Sequence, residues 1–297
     1  MMQEHAPATQ APAGEPIDIG GLMMHHTADA AEIDLQPFAT IHLPHWPDIH
    51  IGPVTMNLSP TKHVVFMILA AALVFLSMRL VGRTLEKQRA NEVAPKGIAN
   101  MMEAFVLWVR EEICIVNIGR EKGPAFAPFI MTIFFFILYG NMLGLVPWGA
   151  SFTGNLGVTT ALAAMAFVTI EIGGMRALGF NGYMRTIFPK VEGMSGAGAA
   201  VISVAMAPIE ILGKLVKPFA LCFRLFGNMT AGHFVVLALF GMIFLFGNLE
   251  VWRWAIGISS ATLVLGIMML EIIVAFVQAY VFAIITAVLI GMMQHAH

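Results

Sequence analysis

Charge is what this 297-residue chain has least of: Asp, Glu, Lys and Arg make up only 11% of it, against about a quarter of a soluble domain. That scarcity excludes an ordinary water-soluble fold, and a net charge of −2 offers nothing to a nucleic-acid backbone, so no nucleic-acid partner is expected. Cysteine is scarce too. Cys114 and Cys222 stand far apart with no CxxC spacing, which excludes a disulfide framework and a thiolate zinc site; both are expected to be small buried apolar side chains. No HExxH, GxSxG or P-loop pattern occurs, so metal, serine and nucleotide chemistry have no support and no cofactor is expected. The opening residues, Met-Met-Gln-Glu-His-Ala-Pro, lack a basic stretch followed by an apolar one, so no ordinary signal peptide is expected.

What is abundant is apolar. The chain is 58% hydrophobic with a mean hydropathy of +0.81, and several apolar runs reach the roughly 20 residues that cross a bilayer as helix. These features predict an all-α integral membrane protein of about five membrane-embedded helices and one interfacial amphipathic helix. Residues 1–60 read as an extramembrane tail, Pro- and Gly-rich at first and then with short β-like pieces at 39–43 and 49–51. The tail holds six of the ten histidines, and His45, Asp48 and His50 lie close together, but no ligand spacing supports a metal site. Residues 61–297 form the membrane domain, with spans expected at about 64–81, 126–147, 156–174, 198–246 and 254–293. Residues 98–118 mix apolar positions with Glu103, Arg110, Glu111 and Glu112, the pattern of a helix lying along the interface with Trp108 as an anchor. Residues 176–196 read as a polar, Gly-rich connection.

The last two apolar segments are too long for a simple crossing. At 1.5 Å per residue the final one reaches about 60 Å as a helix, twice the roughly 30 Å of hydrocarbon, so it must tilt strongly, bend or project. Basic residues give orientation: stretch 79–125 holds eight Lys or Arg and 176–190 three, while the opposite side has only Lys62 and Arg253. The N-terminal tail is therefore expected outside and the C-terminus in the cytoplasm.

Polar residues then concentrate where they are most costly. In a helix over 208–235, Glu210, Lys214, Lys217, Leu221, Arg224 and Asn228 follow a 4-3-4-3-4 spacing and share one face. Arg224 lies mid-segment and keeps its proton at any physiological pH; placing it at the bilayer centre costs at least about 2.5–3.5 kcal/mol. It needs a carboxylate, a water-filled cavity or an anionic ligand beside it. Lys214 and Lys217 are expected to snorkel to cytoplasmic headgroups, with Glu210 as their surface partner. His233 falls on the opposite face from Arg224, and Glu271 and Gln278 share one face of the last segment.

The stretch Lys217-Pro-Phe-Ala-Leu-Cys-Phe-Arg-Leu-Phe-Gly-Asn-Met-Thr-Ala-Gly, together with Gln278-Ala-Tyr-Val-Phe and Asn141-Met-Leu-Gly-Leu-Val-Pro, resembles subunit a of F-type ATP synthases over residues 40–293. The resemblance implies a non-catalytic stator subunit of a rotary motor in the bacterial plasma (inner) membrane. Its partners would be c-ring proteolipids, peripheral-stalk b subunits, the rest of the complex and the lipid around it. It assigns the family's essential arginine to Arg224, facing the ring carboxylates, and the polar positions of two offset proton half-channels to Glu210, Asn228, His233, Glu271 and Gln278. His233 and Glu271 stand exchanged relative to many bacterial relatives, and Gly144 stands where some carry Asp. The alternative is a secondary transporter using Arg224 as counter-ion to an anionic substrate, although no inverted repeat is present.

Overall fold

The computed structural model describes residues 29–35, 39–47, 49–51, 54–56, 59–90, 97–146, 149–189, 197–245 and 253–294. His5, His25, His26 and Asp48 lie outside them. The chain divides into two compact units. One comprises Asp29–Met229 with Ile272–His297, and the other Thr230–Glu271 with Met1–Ala28.

The larger unit begins with two antiparallel hairpins, β1 (Glu32–Leu35) with β2 (Ala39–His42) and β3 (Ile49–Ile51) with β4 (Val54–Met56). The β-like pieces are thus strands, each closed on its neighbour. In the first, Glu32 pairs opposite His42, whose Nδ1 lies 3.3 Å from Glu32 Oε2. A carboxylate and a backbone hydrogen bond from Lys62 N to the Ala30 carbonyl at 2.9 Å tie the tail to the helices. Asp29 Oδ1 lies 2.8 Å from Nδ1 of buried His63, and Asn155 Nδ2 donates to Asp29 Oδ2 at 3.2 Å. Burial alone would raise the Asp29 carboxyl, but the hydrogen bond and charge of His63 hold it below the usual carboxylate range.

Among the described residues five helices are long and apolar enough to cross a membrane: α1 (Lys62–Ala90), α4 (Gly123–Leu145), α5 (Leu156–Ile187), α6 (Ala197–Leu245) and α7 (Arg253–Gln294). Between the first two lie α2 (Ile98–Trp108), a π-helical turn Val109–Ile115 and α3 (Val116–Ile118). The all-α membrane architecture is as expected. Helix α5 runs further than the expected span, absorbing part of the supposed connection. It does so through a break at Gly179, whose φ of 69° is open to glycine and costly for other residues. Helix α6 continues through Pro208 and Pro218 as one element of 49 residues, roughly 74 Å long.

The π turn corrects a phase. Val109, Ile113, Cys114 and Ile118 are all buried, yet nine residues at about 100° each would turn Ile118 to the far side of an α-helix from Val109. The wider turn brings it back. Trp108 also packs inward: its ring lies 6.2, 6.1 and 5.4 Å from those of Phe134, Phe276 and Tyr280, where α2 packs on α4 and α7. Helix α4 supplies the centre of this core with Ile130, Ile133, Phe134, Phe135 and Ile137. In a bilayer such contacts remove no surface from water, so close packing rather than area holds them. In the smaller unit, the ends of α6 and α7 meet through glycine, as described below.

Candidate functional site

The polar stripe of α6 splits in two. Leu221, with its neighbours Cys222 and Leu225, is buried, and Cys222 Sγ lies 3.4 and 3.3 Å from the Thr159 and Thr160 hydroxyls of α5. Glu210, Lys217, Arg224 and Asn228 are exposed on the surface of the chain, among exposed Ile209, Leu212, Val216, Phe219 and Phe223. Arg224 sits near the middle of the Val201–Met242 span. Among the described residues no carboxylate is paired with it.

Lys214 departs from expectation. Its side chain is only 12% exposed and does not snorkel outward. Its Nζ lies 3.7 Å from Glu171 Oε2, donates to Thr186 Oγ1 at 3.0 Å and stands 4.4 Å from the centroid of the Tyr183 ring. The Tyr183 hydroxyl donates to the same Glu171 oxygen. Glu210, Lys214, Lys217, Glu171 and Thr186 line a cavity of about 170 Å³. None of the α5 residues was singled out in the sequence, since nothing local marks Glu171 as the partner of a lysine on another helix.

His233 and Glu271 belong to the smaller unit, both half-buried. The Glu271 carboxyl lies over Gly232, the residue before His233: a Cβ on Gly232 would fall 2.1 Å from Glu271 Oε1. A glycine is needed there for the carboxyl to reach α6. Gln278, in the larger unit, is buried.

A second polar array also escaped the sequence. Thr153 donates to Asn141 Oδ1 at 2.6 Å, so its own oxygen accepts from Ser151 at 2.7 Å, and Asn141 Nδ2 donates to the Ala275 carbonyl at 3.3 Å. The three side chains are buried and form one directed chain from the α4–α5 loop to α7. The signal was present in Asn141 and in the hydroxyls of Ser151-Phe-Thr-Gly, but periodicity assigns a loop no direction. Among the described residues no cluster of His, Cys, Asp or Glu could hold a metal ion.

The family model described as ATP synthase A chain matches residues 64–291, a range that includes every candidate residue from Glu171 to Gln278. The chain belongs to the ATP synthase A chain family. It is 45% identical over 246 residues to ATP synthase subunit a of Myxococcus xanthus, covering 82% of this chain and 76% of that one. It is 41% identical over 269 residues to ATP synthase subunit a of Chloroherpeton thalassium, covering 91% and 75%. To ATP synthase subunit a 2 of Chlorobaculum tepidum it is 39% identical over 273 residues, covering 92% and 72%. As an ATP synthase A chain member, this protein has a packing reason for Gly144. A Cβ there would lie 2.5 Å from both Ser151 Cβ and Met229 Cε. No carboxylate fits without displacing the loop that carries Ser151 and Thr153.

Proposed function

We propose that this chain is the static proton-translocating subunit of an ATP synthase membrane sector, working against a rotating ring of carboxylate-bearing subunits. The observation that carries the reading is Arg224: a permanent charge in mid-span, exposed on an apolar outward face, with no paired carboxylate among the chain's described residues. On this reading its counter-charge comes from another chain. Each ring carboxylate arriving at Arg224 is favoured in its ionised form, so a proton is released there and cannot pass directly between two offset half-channels.

On this reading His233 and Glu271 form the entry of the outer half-channel, and Asn228 and Gln278 are polar positions of the half-channels. Glu210, on the wall of the cavity of about 170 Å³ lined by α5, α6 and α7, takes the exit toward the cytoplasm. One charge falling through 100 mV releases about 2.3 kcal/mol, so several protons per ATP are required, and rotation supplies that gearing. The basic loops support a cytoplasmic C-terminus and an outer N-terminal tail in a bacterial plasma membrane. The c-ring and peripheral-stalk b subunits are the proposed neighbours within the complex.

The test is Arg224→Lys and Arg224→Ala in the intact complex. Both are expected to assemble and to lose proton-driven ATP synthesis, Lys because a desolvated ammonium can shed its proton. Assembled Arg224→Lys membranes that make ATP at the wild-type rate would overturn the role.

A further inference from the structure

Glu210 and Lys214 stand four residues apart on α6 with the acid first, the favoured order for an ion pair along one helix. The structure does not make that pair. Lys214 turns instead to α5, where Glu171, Thr186 and the Tyr183 ring receive it. The arrangement is built. Twelve residues of straight helix would carry Tyr183 about 18 Å past Glu171, yet its hydroxyl donates to that carboxylate. The break at Gly179 turns the end of α5 back onto its own earlier turns. Glu171 and Lys214 are 13% and 12% exposed, so neither is a screened surface charge.

We propose that Glu171 is a positioning residue for the exit carboxylate: it holds the Lys214 ammonium away from Glu210 and leaves Glu210 free to exchange protons with water. The inference rests on the exit assignment of Glu210 made above. The cavity of about 170 Å³ has room for several waters. The charged groups facing Glu210 are Lys214 and Lys217 from α6 and Glu171 from α5, with the Tyr183 hydroxyl behind Glu171; α7 contributes only Leu289, Met292 and Met293. With Glu171 neutral, Lys214 has Glu210 as its nearest remaining anion on the cavity wall. A cation there favours the ionised form, and Glu210 then accepts a proton only from more acidic cytoplasm. With Lys214 neutral, the unpaired Glu171 charge acts in the opposite direction.

The experiment uses inverted membrane vesicles carrying the whole complex, which expose the cytoplasmic face. ATP-driven proton uptake is measured against external pH and normalised to ATP hydrolysis. Glu171→Gln is expected to move the half-maximal point to lower pH by about one unit, and Lys214→Gln to move it higher. A pair that is only structural predicts the same damage from either side. Shifts in one direction for both variants, or no shift, overturn the proposal. Breaking one side of a buried pair can block assembly, so Tyr183→Phe, which only loosens Glu171, is a second arm. It is expected to give a smaller shift in the Glu171→Gln direction, and an unmoved profile again overturns the proposal. The double variant Glu171→Gln with Lys214→Gln is expected to return near the wild-type profile. Glu210→Gln separates the two levels of argument. If it leaves proton uptake intact, the exit assignment fails; if uptake is lost while the Glu171 and Lys214 variants shift alike, only the positioning role fails.

Discussion

Replacing Gly232 by Ala tests the outer entry site with a single methyl group. The new Cβ would stand 2.1 Å from Glu271 Oε1, well inside the 3.0 Å below which real Cβ atoms are essentially never found. The backbone is helical here, so the carboxyl has to yield, by about 0.9 Å. Turning a Glu side chain about 30° off a staggered rotamer costs about 0.5–1.5 kcal/mol, too little to prevent folding or assembly. The functional effect is much larger. Misplacing a reacting group by about 1 Å can cost roughly 10²-fold, equivalent to about 2.7 kcal/mol of barrier. Gly232→Ala is therefore expected to assemble in normal amount and hydrolyse ATP, with proton uptake into inverted vesicles reduced between ten- and a hundredfold. Glu271→Asp draws the carboxyl back by one carbon–carbon bond, about 1.5 Å, and by the same argument is expected to lose proton uptake at least as far while still assembling. Full proton uptake in assembled Gly232→Ala vesicles would refute the idea that this carboxyl's position matters. So would full proton uptake in assembled Glu271→Asp vesicles.

Three further outcomes are expected. His233→Glu and Glu271→His each place two like groups together and slow proton entry, whereas the double exchange restores one of each; positive coupling in a double-mutant cycle checks this, and additive losses would separate the two residues. Burial pushes the Cys114 thiol up to about 11 and Cys222 is buried too, so both should stay unlabelled by a water-soluble thiol reagent at pH 8. Asn228→Cys should be labelled and apolar, exposed Ile273→Cys should not; equal protection of the two would rule out an aqueous path at Asn228. The Asp29 carboxyl is held low when folded, so its tie to His63 stabilises the tail above the ordinary carboxylate value of about 4 and is lost as pH falls through the lowered one. Limited proteolysis from pH 7 to pH 3 should show the tail loosening, with Asp29→Asn loose throughout.

The sequence carried the parts of the fold that depend on local periodicity. Apolar run length marked the long helices, and the β-branched pieces at 39–43 and 49–51 marked strands that need no distant partner. It marked Arg224 because a permanent charge in an apolar run is expensive wherever the chain folds. Distant pairings were hidden. Lys214 looked like a snorkelling residue because its partner Glu171 belongs to another helix and is completed only when Gly179 turns the end of α5 back. The aromatic contacts of Trp108 were hidden too, because amphipathicity does not reveal that Phe134, Phe276 and Tyr280 converge on it. The Ser151–Thr153–Asn141 chain lies partly in a loop, where hydropathy is silent about direction.

The π turn at Val109–Ile115 makes the length of this segment negotiable. A single wide turn is an α-helix that has absorbed one surplus residue, and that residue sits among exposed Arg110, Glu111 and Glu112. Removing Glu111 or Glu112 would let the turn tighten to ordinary α-helix, with Val109 and Ile118 still on the same side: eight steps of about 100° leave them about 80° apart. The same excision in α4, where Phe134 and Phe135 are packed without slack, would rotate every later residue out of its seat. One stretch of the chain can therefore gain or lose a residue without disturbing its neighbours, and insertions and deletions among related sequences should collect there rather than in the adjoining spans.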